Sequence, residues 1–147
     1  MRVGVWFSIL FHMKLFVGAK ALIIHQNKVL LLREAAYDEG INTGKWDVPG
    51  GRIQNDEPIL MGLAREVKEE SGLEIKPMQV LGVSETFPTI KGELCHIVRI
   101  YYLAEALHTK VTLGPDHDTY AWVTVEDIND KELVSSLLEL IVKALER

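Results

Sequence analysis

Cysteine is nearly absent: Cys95 stands alone among 147 residues. A single thiol excludes an internal disulfide and any multi-cysteine zinc site, and it suits a reducing cytoplasm. Basic residues are also in deficit. Sixteen Lys and Arg face 21 Asp and Glu, a formal charge of −5, which argues against a basic domain that grips duplex nucleic acid. A phosphate-rich ligand would meet repulsion here unless cations stood at its site. Long hydrophobic runs are missing too. Residues 3–11 have the length of a signal-peptide core but are too short to span a bilayer, so no membrane anchor is expected. The nearest small-residue cleavage candidate, Ala19-Lys20-Ala21, lies inside a strand-like run that cleavage would destroy. Residues 1–13 therefore read as an N-terminal extension, a strand or an unstructured segment, ahead of one domain over 14–147. What the chain does have is 48% hydrophobic and 25% charged residues, enough apolar material for one core.

The elements are short and mixed. Residues 16–24 and 28–34 are apolar runs around His25-Gln26-Asn27, a hairpin signal. Residues 35–45 are polar, carry Gly40 and Gly44, and read as a loop. Trp46-Asp47-Val48 is a short extended piece stopped by a tight turn at Pro49-Gly50-Gly51. Asn55 or Asp56 is expected to cap a helix that opens near Pro58, runs to about Glu70 and ends at Gly72. Strands are expected over 78–87, 95–107 and 121–125, and an amphipathic closing helix over 131–147.

The informative segment is the helix over 58–70. Residues three and four apart share a helix face, so Glu66, Glu69 and Glu70 fall within an arc of about 100°. The apolar stripe of Ile59, Leu60, Leu63 and Val67 lies beside that arc. Three carboxylates at such a seam repel one another and raise one another's pKa values. Divalent cations relieve this, and hard oxygen ligands suit Mg2+ or Mn2+. The competing interpretation is a solvated acidic face. Arg65 sits four residues before Glu69, where it can pair with it. Gly62 lies one turn before Glu66, where a missing side chain leaves room for a ligand or close packing.

Gly51, five residues, Glu57, seven residues, then Arg65-Glu66-Val67-Lys68-Glu69-Glu70-Ser71-Gly72-Leu73 matches the complete Nudix box. The chain thus resembles the MutT-like Nudix hydrolase family over roughly residues 14–147. That resemblance implies an α/β fold, an α/β/α sandwich with a mixed β-sheet. It also implies Mg2+-dependent (or Mn2+-dependent) hydrolysis of a nucleoside diphosphate linked to another group X, such as a nucleoside triphosphate or an ADP-ribose-like compound. The products are a nucleoside monophosphate and phosphorylated X. By the same resemblance Glu66, Glu69, Glu70 and the Gly50 carbonyl are metal ligands, and Arg65 orients the glutamates. Glu69 is a candidate general base. Gly51, Glu57 and Gly72 support the box.

The substrate is less legible. Arg33 and Arg52 are candidate phosphate contacts, against ordinary surface arginines. Phe87, Tyr101, Tyr102 and Trp122 are candidates for base stacking, although strand aromatics are more often core. Pro88 falls where some ADP-ribose-hydrolysing members carry a proline, and the long motifs of NADH- and coenzyme-A-specific members are not found. Asp116 and Asp118, expected in a loop, are candidates for assisting near the metals. His96 and His117 read as satisfied histidines rather than zinc ligands. A nucleotide is the expected partner, and a homodimer is left open. Two alternatives remain: an isoprenyl-diphosphate isomerase of the same fold, whose further catalytic cysteine is hard to place with only Cys95, and a catalytically silent nucleotide-sensing domain.

Overall fold

A computed structural model of the protein describes residues 13–37 and 40–146. The apolar stretch at 3–11 lies outside the described residues. Strand β1 (Lys14–His25) turns into β2 (Lys28–Glu34) through Gln26 and Asn27, whose φ values of 49° and 59° match the twist of a two-residue hairpin. After the expected loop come β3 (Trp46–Asp47) and β4 (Gly50–Arg52). β4 is more than the turn expected at Pro49-Gly50-Gly51. It pairs antiparallel with β1, placing Gly50 opposite Lys20 and Arg52 opposite Gly18.

Strands β5 (Ile75–Thr86), β6 (Thr89–Ile90), β7 (Glu93–Ala106) and β8 (His117–Val123) complete the sheet. Its order is β3-β2-β1-β7-β5, with β4 beside β1, β6 beside β7 and β8 beside β2. β1 and β7 run parallel while β1 and β2 run antiparallel, so the sheet is mixed as expected. Helix α1 (Ile59–Ser71) buries Leu63 and Val67 against Ala19, Ala21, Ile23, Leu30 and Leu32 on one face. Helix α2 (Leu137–Leu145) buries Leu137, Ile141 and Ala144 against Leu22, Val29, Leu31 and Tyr101 on the other. Alternation along β1 and β2 feeds both cores, giving the α/β/α sandwich.

Four local expectations need correction. Neither Asn55 nor Asp56 caps α1: the N-cap is Pro58, without a side-chain cap bond. Asp56 instead takes a left-handed turn conformation, φ 62°, and Glu57 accepts the Gln54 N–H. Gly72 does end the helix, at φ 72°, its N–H donating to the Lys68 carbonyl. Leu60 leaves the apolar stripe and is 49% exposed. The last strand starts earlier than 121, at His117, because it zips along β2 up to Glu34. The closing helix starts later than 131. Trp46 donates its N–H to the Glu132 carbonyl and accepts from the Val134 N–H, which holds that stretch extended.

Candidate active site

The box glycines let three elements touch. Gly50 has φ 136°, and a Cβ there would strike the Ala19 carbonyl of β1. A Cβ on Gly51 would fall 2.5 Å from Glu66 Oε2. β4 can therefore lie flat on β1 while the Glu66 carboxylate lies on β4. Gly62 serves differently. A Cβ there would meet Glu57 Oε1 and Ile53 Cδ1, each at 2.6 Å, so the missing side chain admits the box loop onto α1. The alternative expectation, of ligand space beside Glu66, does not hold at this position.

Arg65 is the hub. Its Nε and Nη2 donate to the two oxygens of Glu57 at 2.7 and 3.0 Å. Nη1 donates to Glu66 at 3.0 Å and to Glu69 at 3.3 Å, and Nη2 also reaches the Arg52 carbonyl at 3.2 Å. The guanidinium is pushed far above its ordinary range, first by the Glu57 bonds. Glu57 is correspondingly held down to about 2 by Arg65 and the Gln54 N–H.

Glu66 and Glu70 line a cleft of about 680 Å³, together with Gly50, Gly51, Arg52 and Arg65. Burial raises both carboxyls, Glu70 to about 8. Glu70 Oε2 accepts the Gly50 N–H at 3.3 Å and lies 4.0 Å from His117 Nε2. Glu69 sits at the rim, its side chain 58% exposed.

Arg52 lines the cleft, its guanidinium 3.5 Å above the Phe16 ring. Arg33 does not line it: Nε donates to Asp118 Oδ1 at 2.8 Å. Of the two acids expected near the metals, Asp116 lines the cleft and Asp118 is tied to Arg33. Tyr101 belongs to one core, and Tyr102 and Trp122 pack on the other. Phe87 is exposed and stacks on His96 at 4.4 Å, while His96 pairs with Glu85. His117 is not the satisfied histidine expected: its Nδ1 is buried without a hydrogen-bond partner among the described residues. Burial, then the Lys20 charge, holds its pKa low.

The sequence reading missed Phe16, Lys20, Glu34, Tyr37, Asp47 and Arg99, all of which line the cleft. One signal was available. Lys20 is the charge that interrupts the apolar run at 16–24.

The NUDIX domain family matches residues 14–143. Nucleoside triphosphatase NudI of Enterobacter sp. is 32% identical over 118 residues, 76% of this chain and 84% of that protein. The MutT protein of Methanosarcina mazei superposes with a TM-score of 0.77 at 28% identity, covering 91% of this chain and 95% of that one. An ADP-ribose pyrophosphatase of Streptococcus suis shares the fold, with a TM-score of 0.68 at 20% identity over 89% of this chain and 90% of its own. Those matches, with an intact box wrapped around an arginine hub, make the chain a member of the Nudix family and one of its pyrophosphohydrolases.

Proposed function

We propose that this chain uses Mg2+, with Mn2+ as a substitute, to hydrolyse the diphosphate linkage of a nucleoside diphosphate joined to X. Nucleoside triphosphates and ADP-ribose-like compounds are the two candidate classes, and a nucleoside monophosphate leaves. The related NudI protein, a nucleoside triphosphatase by name, and the ADP-ribose pyrophosphatase of the same fold support that range. The observation that carries the proposal is the half-buried pair Glu66 and Glu70, facing one cleft with raised pKa values.

The donor set fits a hard cation: two carboxylates and the Gly50 carbonyl, all oxygen. Among the described residues no three carboxyl, imidazole or thiol groups already converge as a chelate. Arg65 holds Glu66 and Glu69, so a cation has to compete with that guanidinium. Bound there, the cation would activate water and neutralise charge on the diphosphate. Glu66, Glu69, Glu70 and Gly50 would hold it. Glu69, tethered by Arg65 yet open to solvent, is assigned the proton of the attacking water. Arg52, on the cleft wall, is assigned a phosphate oxygen. Water adds to one phosphorus, the bridging P–O bond breaks, and the phosphorylated half leaves.

A cytoplasmic setting is part of the proposal, resting on the single free Cys95. Among the described residues no helix is long and apolar enough to cross a membrane. The test is a panel of nucleoside triphosphates and nucleoside diphosphate sugars, assayed over a Mg2+ and Mn2+ titration. Cleavage that requires the cation and stops with EDTA is expected. Full turnover of any panel member in excess EDTA would overturn the reading.

A further inference from the structure

Lys20 stands at the centre of β1, in a run otherwise built from apolar residues and glycine. Its side chain is 13% exposed and that of Asp47 is 19% exposed, the two joined at 2.9 Å. Nζ donates also to the Val48 carbonyl at 3.1 Å and to the Gly50 carbonyl at 3.4 Å. Three acceptors thus take the three protons of the ammonium. A charge this deep persists only when paired and hydrogen-bonded. Register explains why it points here: Lys20 lies directly opposite Gly50. Lys20 lines the same cleft as Glu66 and Glu70, and its charge favours the ionised form of both.

We propose that Lys20 is a positioning residue that acts as the built-in cation of the site. Its ammonium takes the Gly50 carbonyl and offsets the charge of Glu66 and Glu70, in competition with an entering divalent ion. This rests on the reading of Glu66, Glu70 and Gly50 as cation ligands. A lysine that merely filled space or stiffened β1 would hold the pocket in shape, and its loss would loosen cation binding. A lysine that occupies the carbonyl and repels a second cation has the opposite effect. Its loss tightens binding.

The experiment reads Mn2+ binding to the metal-free protein without nucleotide, by the loss of the free-ion electron paramagnetic resonance signal. Lys20→Met should bind Mn2+ about tenfold more tightly than wild type, the scale of removing one nearby charge. Lys20→Arg, which keeps the charge, should stay near wild type. Lys20→Met strands Asp47, so the same step is repeated on Asp47→Asn, where no buried carboxylate is left unpaired. The Lys20→Met, Asp47→Asn double variant should again bind more tightly than Asp47→Asn. Equal or weaker binding in that background overturns the role of Lys20 while leaving the cation site intact. Absence of Mn2+ binding in wild type and every variant removes the cation reading itself, and the proposal with it.

Discussion

Glu57 and Arg65 meet in a two-point ion pair, Nε to Oε2 at 2.7 Å and Nη2 to Oε1 at 3.0 Å. Glu57 precedes α1 and Arg65 sits in its second turn, so the pair clamps the box loop against the helix. The fork matters: its remaining donors reach Glu66, Glu69 and the Arg52 carbonyl. One planar group with five donors fixes loop, helix and β4 together. A lysine, with a compact charge, could not do so.

This clamp should be visible in acid. The folded pKa of Glu57 is lowered from 4.5 to about 2, first by the Arg65 bond. Its contribution is therefore present above pH 4.5 and is lost as pH falls toward 2. Melting curves from pH 6 to pH 2 should drop more steeply in wild type than in Glu57→Gln. Parallel curves would show that the pair does not stabilise the fold.

A helix glycine normally gains about 1 kcal/mol when replaced by alanine. At Gly62 the sign should reverse. The new methyl would stand 2.6 Å from both Glu57 Oε1 and Ile53 Cδ1, and overpacking of that kind costs about 1–3 kcal/mol. Gly62→Ala should lower the urea midpoint and weaken turnover together, because it pushes Glu57 off Arg65. A variant more stable than wild type would mean that Glu57 moves aside freely.

The box was legible because its chemistry is local: Glu57, Arg65, Glu66, Glu69 and Glu70 all lie within one loop and one helix. The sandwich was legible through the family resemblance that the box carries, while the apolar runs at 16–24 and 28–34 and Gly72 marked single elements. The missed parts depend on distant pairing. No local pattern tells that Trp46 binds Glu132 and Val134 and so delays α2. Nor does any pattern tell that β8 reaches back to pair His117 with Glu34, which moves His117 into the cleft and gives Asp118 to Arg33. Lys20 on β1 and Asp47 on β3 meet only through tertiary pairing, since β3 joins the sheet at β2, yet a lone lysine among strand residues was readable as a buried charge in need of a partner.

Glu70 gives a pH dependence of opposite sign to Glu57. Burial raises its pKa from 4.5 to about 8, so its contribution is full below pH 4.5 and is lost as pH rises through 8. Without metal, wild type should lose stability between these limits. Glu70→Gln keeps a carbonyl acceptor for the Gly50 N–H and should be about 2 kcal/mol more stable than wild type at pH 8. Denaturant melts at pH 5 and pH 8, with EDTA present, make the comparison. Adding Mn2+ to wild type at pH 7 should release protons, since the cation favours the carboxylate. Equal stability of both proteins at pH 8 would mean that Glu70 is not strained by its burial.

Glu69 separates catalysis from packing. Its side chain is 58% exposed, and Arg65 Nη1 holds it from within the box, 3.3 Å from each oxygen. An exposed pair of this kind contributes at most about 1 kcal/mol, so Glu69→Gln should melt within a few degrees of wild type. Turnover at saturating Mg2+ should nevertheless fall at least about 10²-fold, the scale of losing a positioned base. The glutamine keeps the shape and can still accept a bond from Arg65, so the loss reports charge rather than geometry. Near-wild-type kcat would take Glu69 out of the proton transfer while leaving Glu66 and Glu70 to hold the cation. The next candidate would then be Asp116, which lines the cleft, and not Asp118, whose carboxylate already belongs to Arg33.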